Sequence, residues 1–301
     1  MTAHCAGPGL PLWQGESPLR CTGRREETSD SATFVFEAEP AAHFDYRPGQ
    51  FILVNVTIDG KKQCRAYSLC SSPSRPEQLA ITVKRVPGGQ VSNWLLDHLQ
   101  PGHSLQASAP AGEFFLQTDP LPTEVILLSS GCGITPMLSM SLWLLDRGYP
   151  GAIRFIHSAR NLENVIFREE LLSLASRYEN FHLDLVLSRE GPSAGRLNAS
   201  RLAEQVPLPG SSHAYLCGPQ EYMTEVADWL IQLGVPAGQI FKEDFAPAAL
   251  QSCATTGASF HLDVPDFGKS TQIQEGETLL EALEREGLPI IGACRTGVCG
   301  S

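Results

Sequence analysis

Gly131-Cys132-Gly133-Ile134-Thr135-Pro136 follows an apolar run and leads into an amphipathic one. Glycines at this point let the backbone turn tightly and let a phosphate approach it closely. Thr135 is expected to cap the helix, with Pro136 in its first turn, where a missing N–H is tolerated. Free N–H groups and the positive helix end then favour an anion. The third glycine of the usual dinucleotide fingerprint is replaced by Pro136, and an isolated Gly-x-Gly is more often a plain turn. Cys217-Gly218-Pro219 ends a later strand expected on the same rim; alone it reads as a buried cysteine before a turn. Arg65-Ala66-Tyr67-Ser68 offers a guanidinium for a phosphate, a face for a flat ring and a hydroxyl for the ring's edge. Its plainer reading is an edge-strand arginine beside a core tyrosine. Cys294 and Cys299 stand in a C-x4-C spacing within a glycine-rich loop.

The elements that must carry these residues fall into three stretches. The chain has 301 residues, 42% apolar and 18% charged, enough apolar material for more than one core. After a leader over residues 1–18, residues 19–118 alternate strongly, as in Ala32–Phe36, Gln50–Val56 and Leu79–Val83. Asp59-Gly60, Gly88-Gly89 and Pro101-Gly102 supply turns, which predicts an antiparallel β-barrel or sandwich. One helix interrupts it, with Ser92 or Asn93 as the expected cap. Residues 119–245 alternate strand and helix, with Glu124–Ser130 as a buried strand, Val165–Tyr178 and Gln220–Leu233 as helices and a short helix capped at Asn198, which predicts an α/β parallel sheet covered on both faces, with ligands at the strands' carboxyl ends. A linker over 246–256 leads to residues 257–301, expected as two strands and a helix opening at Thr278, where Glu281 completes a capping box.

Taken in series, these motifs resemble the ferredoxin–NADP reductase superfamily over residues ~20–245. Arg65-Ala-Tyr67-Ser68 resembles its flavin strand, Arg47–Phe51 the strand before it, Gly88-Gly89 through Leu95 its second phosphate segment, and Gly112-Glu113-Phe114 its closing strand. The glycine loop and Cys217-Gly218-Pro219 resemble its pyridine nucleotide motifs. The resemblance implies FAD, with Arg65 on the pyrophosphate, Tyr67 on the ring, Ser68 near its N5, and Gly89, Val91 and Ser92 completing the phosphate cradle. It implies NAD(P)H across Gly131, Gly133, Thr135 and Pro136, with Cys217, Gly218 and Pro219 by the nicotinamide and Phe245 packing by the flavin. Ser68 and Cys217 are the residues it puts at the reacting atoms.

Residues 277–301 similarly resemble plant-type ferredoxins, which implies a 2Fe–2S cluster with Cys294 and Cys299 as two of its four ligands. The sequence stops two residues after Cys299, so the expectation is a truncated ferredoxin-like α+β domain in a fragment, with the cluster held only by the complete protein. A barrel, a nucleotide domain and a ferredoxin in this order are similar to the NADH oxidoreductase of the hybrid-cluster protein and to oxygenase reductase components. The implied activity is hydride transfer from NAD(P)H to FAD, then single electrons to a redox protein, hybrid-cluster protein being favoured over an oxygenase. That resemblance favours NADH, whereas Ser188-Arg189 and Arg160 are candidates for the 2′-phosphate of NADPH. The reading of a different class is a flavin-free docking or regulatory module.

The remaining features exclude more than they suggest. The formal charge of -11 disfavours nucleic acid and anionic membranes. No apolar run reaches the ~20 residues of a membrane span. Residues 1–20 do not read as a secretory signal, so the expected location is cytoplasmic. Nine widely spaced cysteines do not form a disulfide framework for such a chain, and the eight histidines show no zinc-type spacing.

Overall fold

The computed structural model describes residues 10–15, 17–191, 194–206, 212–243, 259–274 and 279–288. The chain divides into two units, Met1–Phe245 and Ala246–Ser301. In the first unit, β1 (Leu19–Thr28), β2 (Ser31–Ala38), β3 (Phe51–Ile58), β4 (Lys61–Ser68), β5 (Leu79–Lys84) and β6 (Ser104–Ala107) pair in the order β4-β3-β6-β1-β2-β5. These pairings are antiparallel. A Leu69–Ile81 bridge and the Cys70 N–H donating to Ala80 O at 2.9 Å join the outer strands and close the barrel. Asp59 and Gly60 both take positive φ (50° and 75°), which a two-residue hairpin turn between β3 and β4 requires.

Alternation along the strands sends Phe34, Phe36, Ile52, Val54, Leu79 and Ile81 into the barrel core. Helix α1 (Gln90–His98) adds Val91 and Leu95. It starts earlier than expected: Gly89 is its N-cap, without a side-chain cap, and Ser92 is its third residue. The two-glycine turn, with Gly88 at φ +71°, redirects the chain before any hydroxyl residue is reached. Gly112-Glu113-Phe114 is not a closing strand. Gly112 lies at φ +110° against the Phe51 ring, and only Ala111 makes a bridge, to Phe51.

Five strands follow: β7 (Glu124–Ser130), β8 (Ala152–Ala159), β9 (Phe181–Leu187), β10 (Ser212–Cys217) and β11 (Ile240–Glu243). They form a parallel sheet in the order β11-β10-β7-β8-β9. Helices α2 (Ile134–Asp146), α3 (Arg168–Arg177), α4 (Ala199–Gln205) and α5 (Gln220–Leu233) connect them. Val125, Leu127, Phe155 and Tyr215 pack on one face, Ile126, Leu128, Ile156 and Leu216 on the other, so both faces are buried. The chain leaves β7 toward β8 and later returns to its other side as β10. That reversal opens a crevice at the carboxyl ends of β7 and β10.

Two helix starts differ from expectation. Helix α2 begins at Ile134 with Gly133 at its N-cap, because a 3-10 turn over Gly131–Gly133 runs straight into it; Thr135 is not the cap. Helix α3 begins at Arg168 rather than Val165, because Phe167 is left-handed (φ 60°, ψ 23°). Val165, Ile166 and Phe167 are buried by packing that a helical periodicity imitates.

In the second unit, β12 (Ser259–Val264) and β13 (Lys269–Gln274) form an antiparallel hairpin. Helix α6 (Leu279–Arg285) buries Ala282, and Arg285 Nη2 donates to Gln272 O at 2.8 Å. The expected linker, Thr278, Phe245, Cys294 and Cys299 lie outside the described residues. Among the described residues no helix is long and apolar enough to cross a membrane.

Candidate functional site

Strand β4 carries the first group of side chains. Its register against β3 aligns Arg65 with Val54, Tyr67 with Ile52 and Ser68 with Phe51. Arg65 and Tyr67 therefore share one face and Ser68 turns to the other. Arg65 is exposed, and its Nη1 donates to the neighbouring Cys64 O at 2.7 Å. Tyr67 is half-buried against the barrel core, and that burial pushes its hydroxyl well above the ordinary tyrosine range. Ser68 is buried, and its Oγ donates to Glu243 Oε2 at 3.5 Å.

Glu243 ends β11 and stands in register with Cys217, which ends β10. Both are buried. Burial pushes the Glu243 carboxyl up to about 8, opposed by the Ser68 hydrogen bond. Ser68, Cys217 and Glu243 thus converge from the barrel and from two adjacent sheet strands. The glycine loop adjoins them: a Cβ on Gly133 would lie 2.1 Å from Cys217 O. Gly131 needs its positive φ of 58°. Thr135, buried, donates from Oγ1 to Cys132 O at 3.0 Å and holds the loop shut from inside. Pro136 lies in the first turn of α2, as expected. A Cβ on Gly218 would crowd Ser130 Cβ at 3.1 Å and the Tyr222 ring at 3.2 Å, so the second rim segment is also close-fitted.

A cavity of about 700 Å³ runs along this rim. Gly131, Ser130 and Pro219 line it, with Tyr222 of α5 and Asn93 of α1. Arg160, Ser188 and Arg196 lie at its walls. Arg189 is not among the lining residues; its N–H donates to Arg160 O (2.9 Å). Glu190, its sequence neighbour, accepts the Leu162 N–H at 2.7 Å. Asn93 Oδ1 is buried without a donor among the described residues. Such an atom beside a large cavity is what a polar ligand would satisfy.

Residues 18–116 match the family model described as an oxidoreductase FAD-binding domain, and residues 127–228 that of an oxidoreductase NAD-binding domain. Residues 263–301 match the 2Fe-2S iron-sulfur cluster binding domain. The glycine betaine monooxygenase reductase subunit of Pseudomonas aeruginosa is 35% identical, over 95% of this chain and 84% of its own length. The chain belongs to the ferredoxin–NADP reductase superfamily. The NADH oxidoreductase HCR of Escherichia coli K12 is 36% identical to this reductase, over 86% of the chain and 76% of its own length. Among solved structures, phthalate dioxygenase reductase shares the fold at TM-score 0.70 and 24% identity, over 94% of this chain and 84% of that one. The flavohem-like FAD/NAD-binding domain of Vibrio cholerae nitric oxide dioxygenase gives TM-score 0.71 and 27% identity, over 78% and 100%. The reductase is therefore an oxidoreductase that passes electrons from NAD(P)H through FAD to an acceptor, with a 2Fe–2S domain.

The donor groups of the reductase fit both dinucleotides. Gly89 to Ser92 are the N-cap and first turn of α1, whose N–H groups have no partner within the helix, and an alanine Cβ at Gly89 would meet Ser92 Oγ at 2.7 Å. The Gly133 and Gly218 contacts leave the second loop only the room a bare backbone needs. In the sequence, residues 242–247 stand out for Phe245. The side chain of that segment that joins the site among the described residues is Glu243, and its signal is the register with Cys217 rather than a motif.

Proposed function

We propose that NAD(P)H binds along the cavity with its nicotinamide beside Ser68, Cys217 and Glu243. Arg65 and the N–H groups of Val91 and Ser92, with the bare backbone of Gly89 beside them, hold the FAD pyrophosphate, and Tyr67 supports the flavin ring. Gly131, Gly133, Thr135 and Pro136 shape the loop that receives the coenzyme pyrophosphate; Cys217, Gly218 and Pro219 bound the nicotinamide side. The convergence of Ser68, Cys217 and Glu243 from separate strands carries this reading. Bound together, the two coenzymes supply hydride transfer and, through the flavin, passage from two-electron to one-electron chemistry toward the 2Fe–2S centre. The chain's part is alignment and exclusion of water. Glu243, protonated at neutral pH, holds a proton at its carboxyl beside Ser68 Oγ.

The coenzyme favoured by the cavity is NADPH. Arg160 and Arg196 are exposed at its walls beside Ser188, a donor set suited to a 2′-phosphate. This departs from the NADH expected on resemblance alone. The acceptor is an oxygenase component: the relatives aligned over 95% and 97% of the chain include the glycine betaine monooxygenase reductase subunit and the stachydrine N-demethylase reductase subunit Stc4 of Rhizobium meliloti, beside an NADPH oxidoreductase of Mycobacterium tuberculosis. Hybrid-cluster protein is the second reading, on the likeness to HCR. Use of a cytoplasmic coenzyme supports a cytoplasmic site of action. The test is an anaerobic visible spectrum of the FAD-loaded chain titrated with NADPH and NADH. Bleaching of the flavin bands at lower NADPH than NADH is expected. A chain that stays colourless after incubation with FAD, or a flavin that neither coenzyme bleaches, sinks the reading.

A further inference from the structure

The seam between barrel and parallel sheet, both within the first unit, is packed in part by one cluster that joins Cys70, Ala80 and Phe114 to Met137, Leu138 and Phe167. A groove of about 410 Å³ lies along it, between Val35, Leu79 and Ala80 of the barrel and Leu138, Leu142 and Phe167 of the sheet layer. Where close packing is interrupted, it does not by itself fix the angle between two bodies. Beside the groove, polar links add to what the packed part of the seam fixes.

Ser139 Oγ of α2, buried, donates to Ser71 O at 2.6 Å, but the ion pairs across this seam are exposed. Arg75 pairs with Asp146 at 2.8 Å and Arg25 with Glu170 at 3.2 Å, and both arginines are more than half exposed. Such pairs contribute little. Glu27 differs. Its side chain is 6% exposed, and three donors fill it: Arg25 Nε at 2.7 Å, Thr33 Oγ1 at 2.7 Å and, from the other side of the seam, the Phe167 N–H at 3.1 Å. The β1–β2 register shifts between Glu26 and Thr28, so Glu27 sits at a bulge that re-aims its side chain.

Phe167 is the N-cap of α3, left-handed and without a side-chain cap of its own. In a capping box, the glutamate at the third helical position reaches back to the N-cap N–H. Here that residue is Glu170, and it pairs with Arg25 of the barrel instead. Glu27 of the barrel takes the N-cap N–H. The box is exchanged between the two halves, and a carboxylate also suits the positive end of α3.

We infer that Glu27 is a positioning residue: capping α3 from the barrel, it sets the angle between barrel and sheet and so the approach of nicotinamide to flavin. This rests on the proposed crevice for NAD(P)H and FAD, so the test has a readout independent of it. In the full FAD-loaded chain, Glu27→Ala should raise amide hydrogen exchange at residues 167–171 by about tenfold while α5 is unchanged. It should also slow flavin reduction at saturating NADPH by about tenfold or more, with NADP+ Kd within about twofold, a weaker charge-transfer band and a larger isotope effect from 4-deuterated coenzyme. Glu27→Asp should recover part of both effects. Faster exchange with wild-type reduction and band would reduce Glu27 to a local cap and overturn the proposal; unchanged exchange would overturn the cap itself. If Glu27→Ala loses flavin, Glu27→Gln, which keeps an acceptor oxygen, decides by the same two readouts. A wild-type flavin that NADPH leaves oxidised sinks the crevice reading instead, and the exchange result still stands.

Discussion

Replacing Glu243 with glutamine should change how the folded state depends on pH. An ordinary glutamate titrates near 4.5, and burial raises this one to about 8. Below the ordinary value both folded and unfolded chains carry the proton, and nothing is lost. As pH rises from there, the unfolded chain ionises while the folded one stays neutral, so stability falls. The fall ends only when the folded carboxyl ionises near pH 8. Each pH unit between the two titrations costs a little over 1 kcal/mol, so the full loss is on the order of several kcal/mol, with roughly half of it between about pH 5 and about pH 7. Glutamine has the same shape and no proton to lose. Urea unfolding curves of wild type and Glu243→Gln across this range give the difference directly. Wild type should lose about 2 to 3 kcal/mol relative to the variant over those two pH units. Bound flavin would bury Glu243 further and push the same way. A difference that stays flat with pH would refute the burial argument, and a Glu243→Gln protein that is the less stable at neutral pH would show that the carboxyl is held charged.

On the proposed FAD site, Arg65→Ala and Tyr67→Ala should each raise the Kd for FAD about tenfold or more, read by flavin fluorescence after dilution, since one would lose a charge-assisted phosphate contact and the other a ring face. Gly133→Ala should cost about 2 kcal/mol in stability and raise the coenzyme Kd about tenfold with FAD retained, because its Cβ meets the Cys217 carbonyl at 2.1 Å and both atoms belong to backbone-fixed positions. Arg196→Ala should raise KM for NADPH about tenfold and leave KM for NADH within about twofold; equal losses for both coenzymes would remove Arg196 from 2′-phosphate recognition.

The parallel sheet was legible nearly residue by residue. Glu124–Ser130 and Gln220–Leu233 appear as expected from an unbroken apolar run and from a period of 3.6 residues. Asn198 caps α4 as its position implied, its side chain accepting from Arg201 N. Strand β1 was harder, since Arg24, Arg25, Glu26 and Glu27 hide its alternation. The helix starts at Gly89 and Gly133 escape a sequence reading for one reason: a hydroxyl residue is the usual cap, and here glycine turns have already bent the chain before one is reached. The glycine loop, β4 and Cys217 announced themselves by motif. Glu243 and Glu27 did not, because one carboxylate among 33 acidic residues is singled out only by what packs around it. Register with Cys217 isolates the first, and a bulge aims the second.

The two ends of the parallel sheet are built on opposite terms. At the amino end, buried Glu124 is satisfied by Arg154 of β8 and by Ser212 Oγ of β10 at 2.6 Å, so one carboxylate ties three adjacent strands. A charge so saturated fixes register and leaves nothing to offer a ligand. Toward the carboxyl end, saturation gives way. His157, buried and held neutral by that burial at a pKa of about 3, bonds Ser129 Oγ through Nδ1 (2.9 Å) while its Nε2 has no partner among the described residues. Asn93 Oδ1 waits at the cavity, and among the described residues Glu243 has only a long bond from Ser68 to favour its charged form. Polar groups left short of partners cost stability, and a fold keeps them where binding or proton holding uses them. Unpartnered atoms alone do not mark one rim, since His213 Nδ1 and Gln239 Oε1 also lack partners among the described residues at the amino end; what separates the two ends is a saturated carboxylate, Glu124, against one that burial pushes toward its neutral form, Glu243.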